Sequence, residues 1–95
     1  MARQQYRTEI RILSDVLYVV MNHGRSGAII SSIGREANLS HDVAIDKCKR
    51  LEDAGLLEPF NDGRNRTFIV TEKGIHFYEQ LEKFLEIVNE VKIRC

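Results

Sequence analysis

Proline occurs once in this sequence, glycine six times and tryptophan not at all. So little proline and glycine argues against an extended disordered chain. The two cysteines, Cys48 and Cys95, fall in different segments and form no C-x-x-C pair, which speaks against a secreted disulfide scaffold and a structural zinc site. Three scattered histidines, His23, His41 and His76, add no metal-ligand spacing, so no metal or other cofactor is expected. Charge of one sign is also missing. Fourteen Lys/Arg face fourteen Asp/Glu, ten against nine in residues 1–71 and four against five in residues 72–95. Any basic patch must therefore come from local arrangement. The longest apolar stretch, "IRILSDVLYVVM", is interrupted by charge and serine and is too short to span a bilayer. The N-terminal "MARQQYRTE" is basic but lacks the apolar core of a signal peptide, so the expected location is the cytoplasm, with no membrane partner. There is no G-x-S-x-G, no glycine-rich phosphate loop and no carboxylate pair in a plausible cleft, and no enzymatic activity is expected.

What is present is strong helical periodicity. "TEIRILSDVLYVVMNH", Thr8 to His23, carries Ile10, Leu13, Leu17, Val20 and Met21 on one stripe and Ile12, Val16 and Val19 on a second, which predicts a helix buried on two sides and stopped by Gly24. His23 then sits where a helix C-terminus favours a proton, and a cap-like role is expected of it. "GAII" reads as a short strand. Ser31 or Ser32 is expected to cap a short helix with Ile33 and Ala37 inward and Gly34 and Arg35 outward. Asn38-Leu39 makes the turn. Ser40 caps the next helix, His41 to Ala54, with Asp42 in its first turn, Ala44, Cys48 and Leu51 on its buried face and Gly55 as its stop. "LLEPF" and "RTFIV" flank "NDGRN" as a hairpin, with Arg64 and Arg66 at or beside its tip.

Thr71 caps a last helix, 72 to about 94 and roughly 35 Å long. Its Phe77, Leu81, Phe84, Val88, Val91 and Cys95 form a heptad seam widened by Tyr78 and Leu85. The first turn and Ile75 can already cover the domain core. Left bare, Leu85, Val88 and Val91 would make an apolar strip that soluble monomers avoid, which predicts a homodimer.

Helix, short strand, helix, helix, strand, wing, strand and long helix is the plan of a winged helix-turn-helix domain, mainly α with a small β-hairpin and a long C-terminal helix. Residues 1–71 would form the winged domain with a basic arm, and residues 72–95 a dimerisation helix in one compact unit with it. "RTEIRILSDVL", "REANLSHD", "RLEDAGLLE" and "FIVTEKGIHFYEQLEKF" resemble small archaeal winged-helix proteins regarded as predicted transcriptional regulators. Some of that group are chromatin-type DNA-binding proteins, dimeric through an antiparallel coiled coil of the last helix. The resemblance covers about residues 7 to 90 and implies double-stranded DNA as partner.

On that plan the helix 41–54 enters a major groove. His41, Asp42, Val43 and Asp46 would lie over base edges, and Lys47, Lys49 and Arg50 towards phosphates. Arg64 and Arg66 suit phosphate or minor-groove contact, with Arg35, Arg3 and Arg7 adding phosphate contacts. The dimer interface would hold Phe77, Leu81, Phe84, Leu85, Val88 and Val91. Yet the outward face of the helix carries Asp42, Asp46 and Asp53, and DNA is a polyanion. The alternative is a winged-helix module whose acidic helix meets a basic protein partner.

Cys48 is flanked by Lys47 and Lys49, which suggests a reactive thiol. Helix neighbours point about 100° apart, however, so the lysines do not surround the sulfur, and a small core residue is expected.

Overall fold

The computed structural model describes residues 8–61 and 66–91; Arg3, Arg7, Arg64, Cys95 and the expected end of the last helix at Arg94 lie outside them. The elements run α1 (Glu9–His23), a single 3-10 turn (Gly24–Ser26), β1 (Ala28–Ile29), α2 (Ile30–Glu36), α3 (His41–Asp53), β2 (Leu57–Asn61), β3 (Arg66–Val70) and α4 (Glu72–Val91). The three strands form one antiparallel sheet in the order β1-β3-β2. Its register runs from Leu57 opposite Val70 to Asn61 opposite Arg66, so the ladder closes at the base of the wing.

The core follows from the stripes. Val16, Leu17 and Val20 of α1 are fully buried against Ile33 of α2, Ala44 and Cys48 of α3, and Leu57 and Phe68 of the sheet. The other side of α1 meets α4, where Tyr18 stacks on Tyr78 at 6.2 Å between ring centroids and the buried Ser14 hydroxyl donates to Glu82 Oε2 at 2.6 Å. α1 is thus covered on two sides, but both apolar stripes feed the one core. The α4 side is built from Ser14 and Tyr18, which neither stripe includes, and Ile10 of the first stripe is exposed. Among the described residues no helix is long and apolar enough to cross a membrane.

Local chemistry sets the helix ends. Thr8 Oγ1 accepts from Arg11 N–H at 3.1 Å and Ser40 Oγ from Val43 N–H at 3.3 Å, each covering an orphan donor of the first turn. Gly55 leaves α3 at φ +80°, and Leu56 N–H then reaches back to Leu51 O at 2.9 Å. Three expectations need correction. α2 has no serine cap: it leaves β1 directly, with Ile29 at the cap position, so that Ile30 can turn inward. Gly34 is buried rather than outward, because a side chain there would press on Leu39 O at 3.1 Å and on Ala44. His23 does not cap α1, whose terminal bond is made by Gly24 N–H; its Nε2 lies 3.2 Å from Glu36 Oε1 and ties α1 to α2.

Cys48 is 0% exposed, and burial pushes its thiol up to about 12, against a smaller lowering influence of Arg66. The thiol is therefore protonated and inert at neutral pH. The unfolded chain releases this proton near its ordinary value of 9.0 and the folded chain near 12, so this contribution to stability is complete below 9 and lost as pH climbs towards 12. Cys48→Ser is expected to cost about 1–3 kcal/mol in a denaturant titration, since a hydroxyl would replace the packed thiol. Labelling of native Cys48 should be as slow as unfolding; fast labelling contradicts the burial.

Candidate nucleic-acid interface

α2 and α3 are joined by a tight turn at Asn38 and Leu39. Asn38 takes φ +58° and Leu39 N–H donates to Gly34 O at 2.7 Å. The same tight turn brings Leu39 O to 3.1 Å from where a Cβ at position 34 would lie, a crowded contact that glycine avoids. The buried triad Ala44, Cys48 and Leu51 then fixes the rotation of α3, which leaves His41, Asp42, Val43, Asp46, Lys49, Arg50 and Asp53 exposed.

The expected site residues do not form one patch. Lys49 of α3 and Arg66 of β3 converge on a cleft of about 220 Å³ between the two elements, lined also by Ile30, Ile45, Glu52, Asp53 and Phe68. Lys47 and Arg50 are directed to the opposite flank, towards the start of α1. There Lys47 Nζ lies 2.9 Å from Glu9 Oε1, and Arg50 Nη1 2.8 Å from Glu9 Oε2. The Lys47 side chain is only 12% exposed, whereas that of Arg50 is 58% exposed. Asp46 Oδ2 stands between the same cations, 3.5 Å from Lys47 Nζ and 3.8 Å from Arg50 Nε. Arg35 projects from α2, with Nη2 3.8 Å from its neighbour Glu36. Arg64 falls outside the described residues.

Glu9 is the residue that reading the sequence missed. It is separated from Lys47 and Arg50 by 38 and 41 positions, so no local pattern announces the pairing. The outer surface of α3 is electrostatically divided, with a neutralised flank at α1 that includes Asp46, a mixed-charge cleft at β3 that includes Asp53, and Asp42 exposed in its first turn. Among the described residues no group of three or more His, Cys, Asp or Glu is arranged to hold a metal ion.

On α4, the side turned to α1 carries Tyr78 and Glu82, and Leu85 and Glu82 line a groove with Arg11. The adjoining stripe is open. Phe77, Phe84 and Val91 are exposed, as is Ile87, which the heptad reading did not include, while Leu81, Leu85 and Val88 are half-buried.

None of the curated proteins matches this sequence. Several solved structures share its fold. A DNA-binding protein from Sulfolobus solfataricus, Sso10a-2, superposes with a TM-score of 0.79 at 21% identity, over 90% of this chain and 85% of the other. MepR, a transcription regulator of the Staphylococcus aureus multidrug efflux pump MepA, gives 0.72 at 16% identity, over 84% and 60%. The PcaV transcriptional regulator from Streptomyces coelicolor gives 0.77 at 21% identity, over 93% and 62%. The chain thus spans most of Sso10a-2 but only about six tenths of MepR and PcaV. The winged helix-turn-helix family model matches residues 6–89, the same span that carries α1, the helix-turn-helix, the wing and nearly all of α4, and the chain belongs to that family.

Proposed function

We propose that this protein binds double-stranded DNA as a homodimer, as a transcriptional regulator or chromatin-associated protein, with α3 in a major groove and the 61–66 wing on the backbone or in a minor groove. The observation that carries this reading is the exposed face of α3 together with the cleft that its Lys49 and Arg66 of β3 line. The N-terminal half of α3 is open, and Arg66 stands across a narrow cleft from Lys49. A helix in the groove and a cation beside it on a separate hairpin can engage bases and phosphates together. His41, Asp42, Val43 and Asp46 then face base edges: Val43 can pack on a thymine methyl group, and an aspartate can accept from cytosine N4. Lys49, Arg50, Arg64, Arg66 and Arg35 serve the phosphates, with Lys47 held back in the α1 seam.

The dimer forms through α4. Its stripe holds Phe77, Phe84 and Val91 exposed with Leu81 and Val88 half-buried beside them, and a second copy supplies the same stripe. Antiparallel pairing follows from the resemblance to coiled-coil archaeal relatives.

A salt titration with duplex DNA tests the proposal. If the dimer neutralises about six phosphates, log K should fall with log salt at a slope near −5. Arg64→Ala with Arg66→Ala should weaken binding and flatten the slope by about 0.9 for each phosphate that is no longer neutralised. Unchanged affinity in that double variant removes the wing from the mechanism. If the wild type does not bind duplex DNA at low salt, the second reading prevails: a protein-interaction module. It is favoured by one observation, the four carboxylates of α3 against its three cations.

A further inference from the structure

We infer that Glu9 sets the affinity of the DNA-binding face by acting as an internal competitor for phosphate at Arg50, while Lys47 holds its other carboxylate oxygen. The inference rests on the DNA-binding reading and deepens it. Glu9 opens α1, and its two carboxylate oxygens are divided between two cations of α3, Lys47 on Oε1 at 2.9 Å and Arg50 on Oε2 at 2.8 Å. A phosphate presents a similar edge of two anionic oxygens, so whatever Glu9 holds, a DNA backbone can hold in its place. Lys47 is largely covered and fixes the carboxylate from the α1 seam, while Arg50 remains more than half exposed and lies beside the outward face. Arg50 is therefore the cation that can change partners. Asp46 completes the arrangement. Two carboxylates shared by two cations make this flank neutral, so it offers DNA no net attraction until an ion pair is exchanged. Ion pairs this exposed are individually weak, so exchange is cheap enough to occur on binding.

A structural tie between α1 and α3 would use the same ion pairs, and the two roles predict opposite results. If Glu9 competes with phosphate, Glu9→Gln tightens duplex binding about three- to tenfold at low salt and steepens the slope of log K against log salt by about 1–2, for one released cation in each protomer. If it is only a tie, the variant binds no better than the wild type. Glu79→Gln, on the exposed surface of α4, makes the same change in net charge and controls for it. In an Arg50→Gln background the gain from Glu9→Gln should vanish. Unchanged or weaker binding by Glu9→Gln overturns the inference. So does an equal gain from Glu79→Gln, or a gain that persists without Arg50. A wild type that shows no salt-dependent binding fails the DNA-binding reading itself and takes the inference with it, whereas a wild type that binds and a Glu9→Gln variant that does not gain fails the inference alone.

Discussion

Gly74→Ala is expected to destabilise the protein by about 3 kcal/mol, and Gly74→Val to leave most of it unfolded. A Cβ at this position would sit 2.2 Å from Leu56 O and 2.8 Å from Val70 Cγ2. The first of these is backbone and cannot rotate away. Helix propensity alone favours alanine over glycine by about 1 kcal/mol in a helix interior, so the sign of the measured change decides between propensity and close approach. The approach has a structural purpose. Thr71 N–H donates to the same Leu56 O at 3.1 Å, and Thr71 Oγ1 donates to Gly55 O at 2.7 Å while accepting from Gly74 N–H at 2.9 Å. Lys73 Nζ donates to Ala54 O at 3.1 Å, placing a cation on the C-terminal end of α3. These hydrogen bonds tie the first turn of α4 to the end of α3. Thermal or denaturant unfolding measures the cost. A Gly74→Ala variant as stable as the wild type would show that the start of α4 can move away from Leu56 O and that the close approach is not required.

Part of this joint was legible in the sequence. Thr71 as a cap and Gly55 as a stop follow from residue type alone, because capping and left-handed geometry are local demands. "TEKG" marked a resemblance, but the need for glycine in it comes from Leu56, in another element, and no local pattern carries that. The same holds for Gly34, whose burial is decided by the carbonyl of Leu39 and the side chain of Ala44. The rotation of α3 was readable from the spacing of Ala44, Cys48 and Leu51, which set its buried face correctly. The division of the cations of α3 between Glu9 and the β3 cleft was not readable, since it depends on how α1 and the wing pack against either flank. α2 misled for a related reason. Two serines suited a cap, but the direct passage from β1 and the burial of Ile30 left them no part in it. Periodicity and caps describe an element by itself; the charged face of α3 is a property of its neighbours.

Phe84→Glu is expected to convert the proposed dimer to a folded monomer and to weaken duplex binding by about 10²–10³-fold. Phe84 is the midpoint of the stripe Phe77, Leu81, Phe84, Val88 and Val91, so in an antiparallel pair it lies near its own twin at the two-fold axis. One substitution thereby introduces two like charges into the centre of the seam, and breaking a buried arrangement in this way costs about 3–5 kcal/mol, enough to dissociate most dimers at micromolar concentration. The monomer should survive, because Phe84 is half exposed and outside the core cluster. Loss of the second winged domain removes the bivalent contribution, which supplies factors of about 10²–10⁴ in linked pairs, and should halve the salt slope. Sedimentation equilibrium reads the assembly, and a DNA titration reads the consequence; a variant that remains dimeric puts the interface elsewhere. Orientation is a separate question with its own readout. The 20 residues of α4 span about 30 Å, so antiparallel pairing sets the winged domains apart by a distance similar to one turn of B-DNA, about 34–36 Å. With the domains suitably angled, two copies of α3 would reach successive grooves on one face of the duplex. The spacing of the sequence makes Cys95, outside the described residues, the next seam position, and an antiparallel coiled coil would separate each Cys95 from its twin by most of a helix length. Mild oxidation of dilute protein should therefore give little Cys95–Cys95 dimer. Efficient cross-linking would mean a parallel pair, with both winged domains at one end of the seam, and the spacing of one helical turn would no longer come from the length of α4.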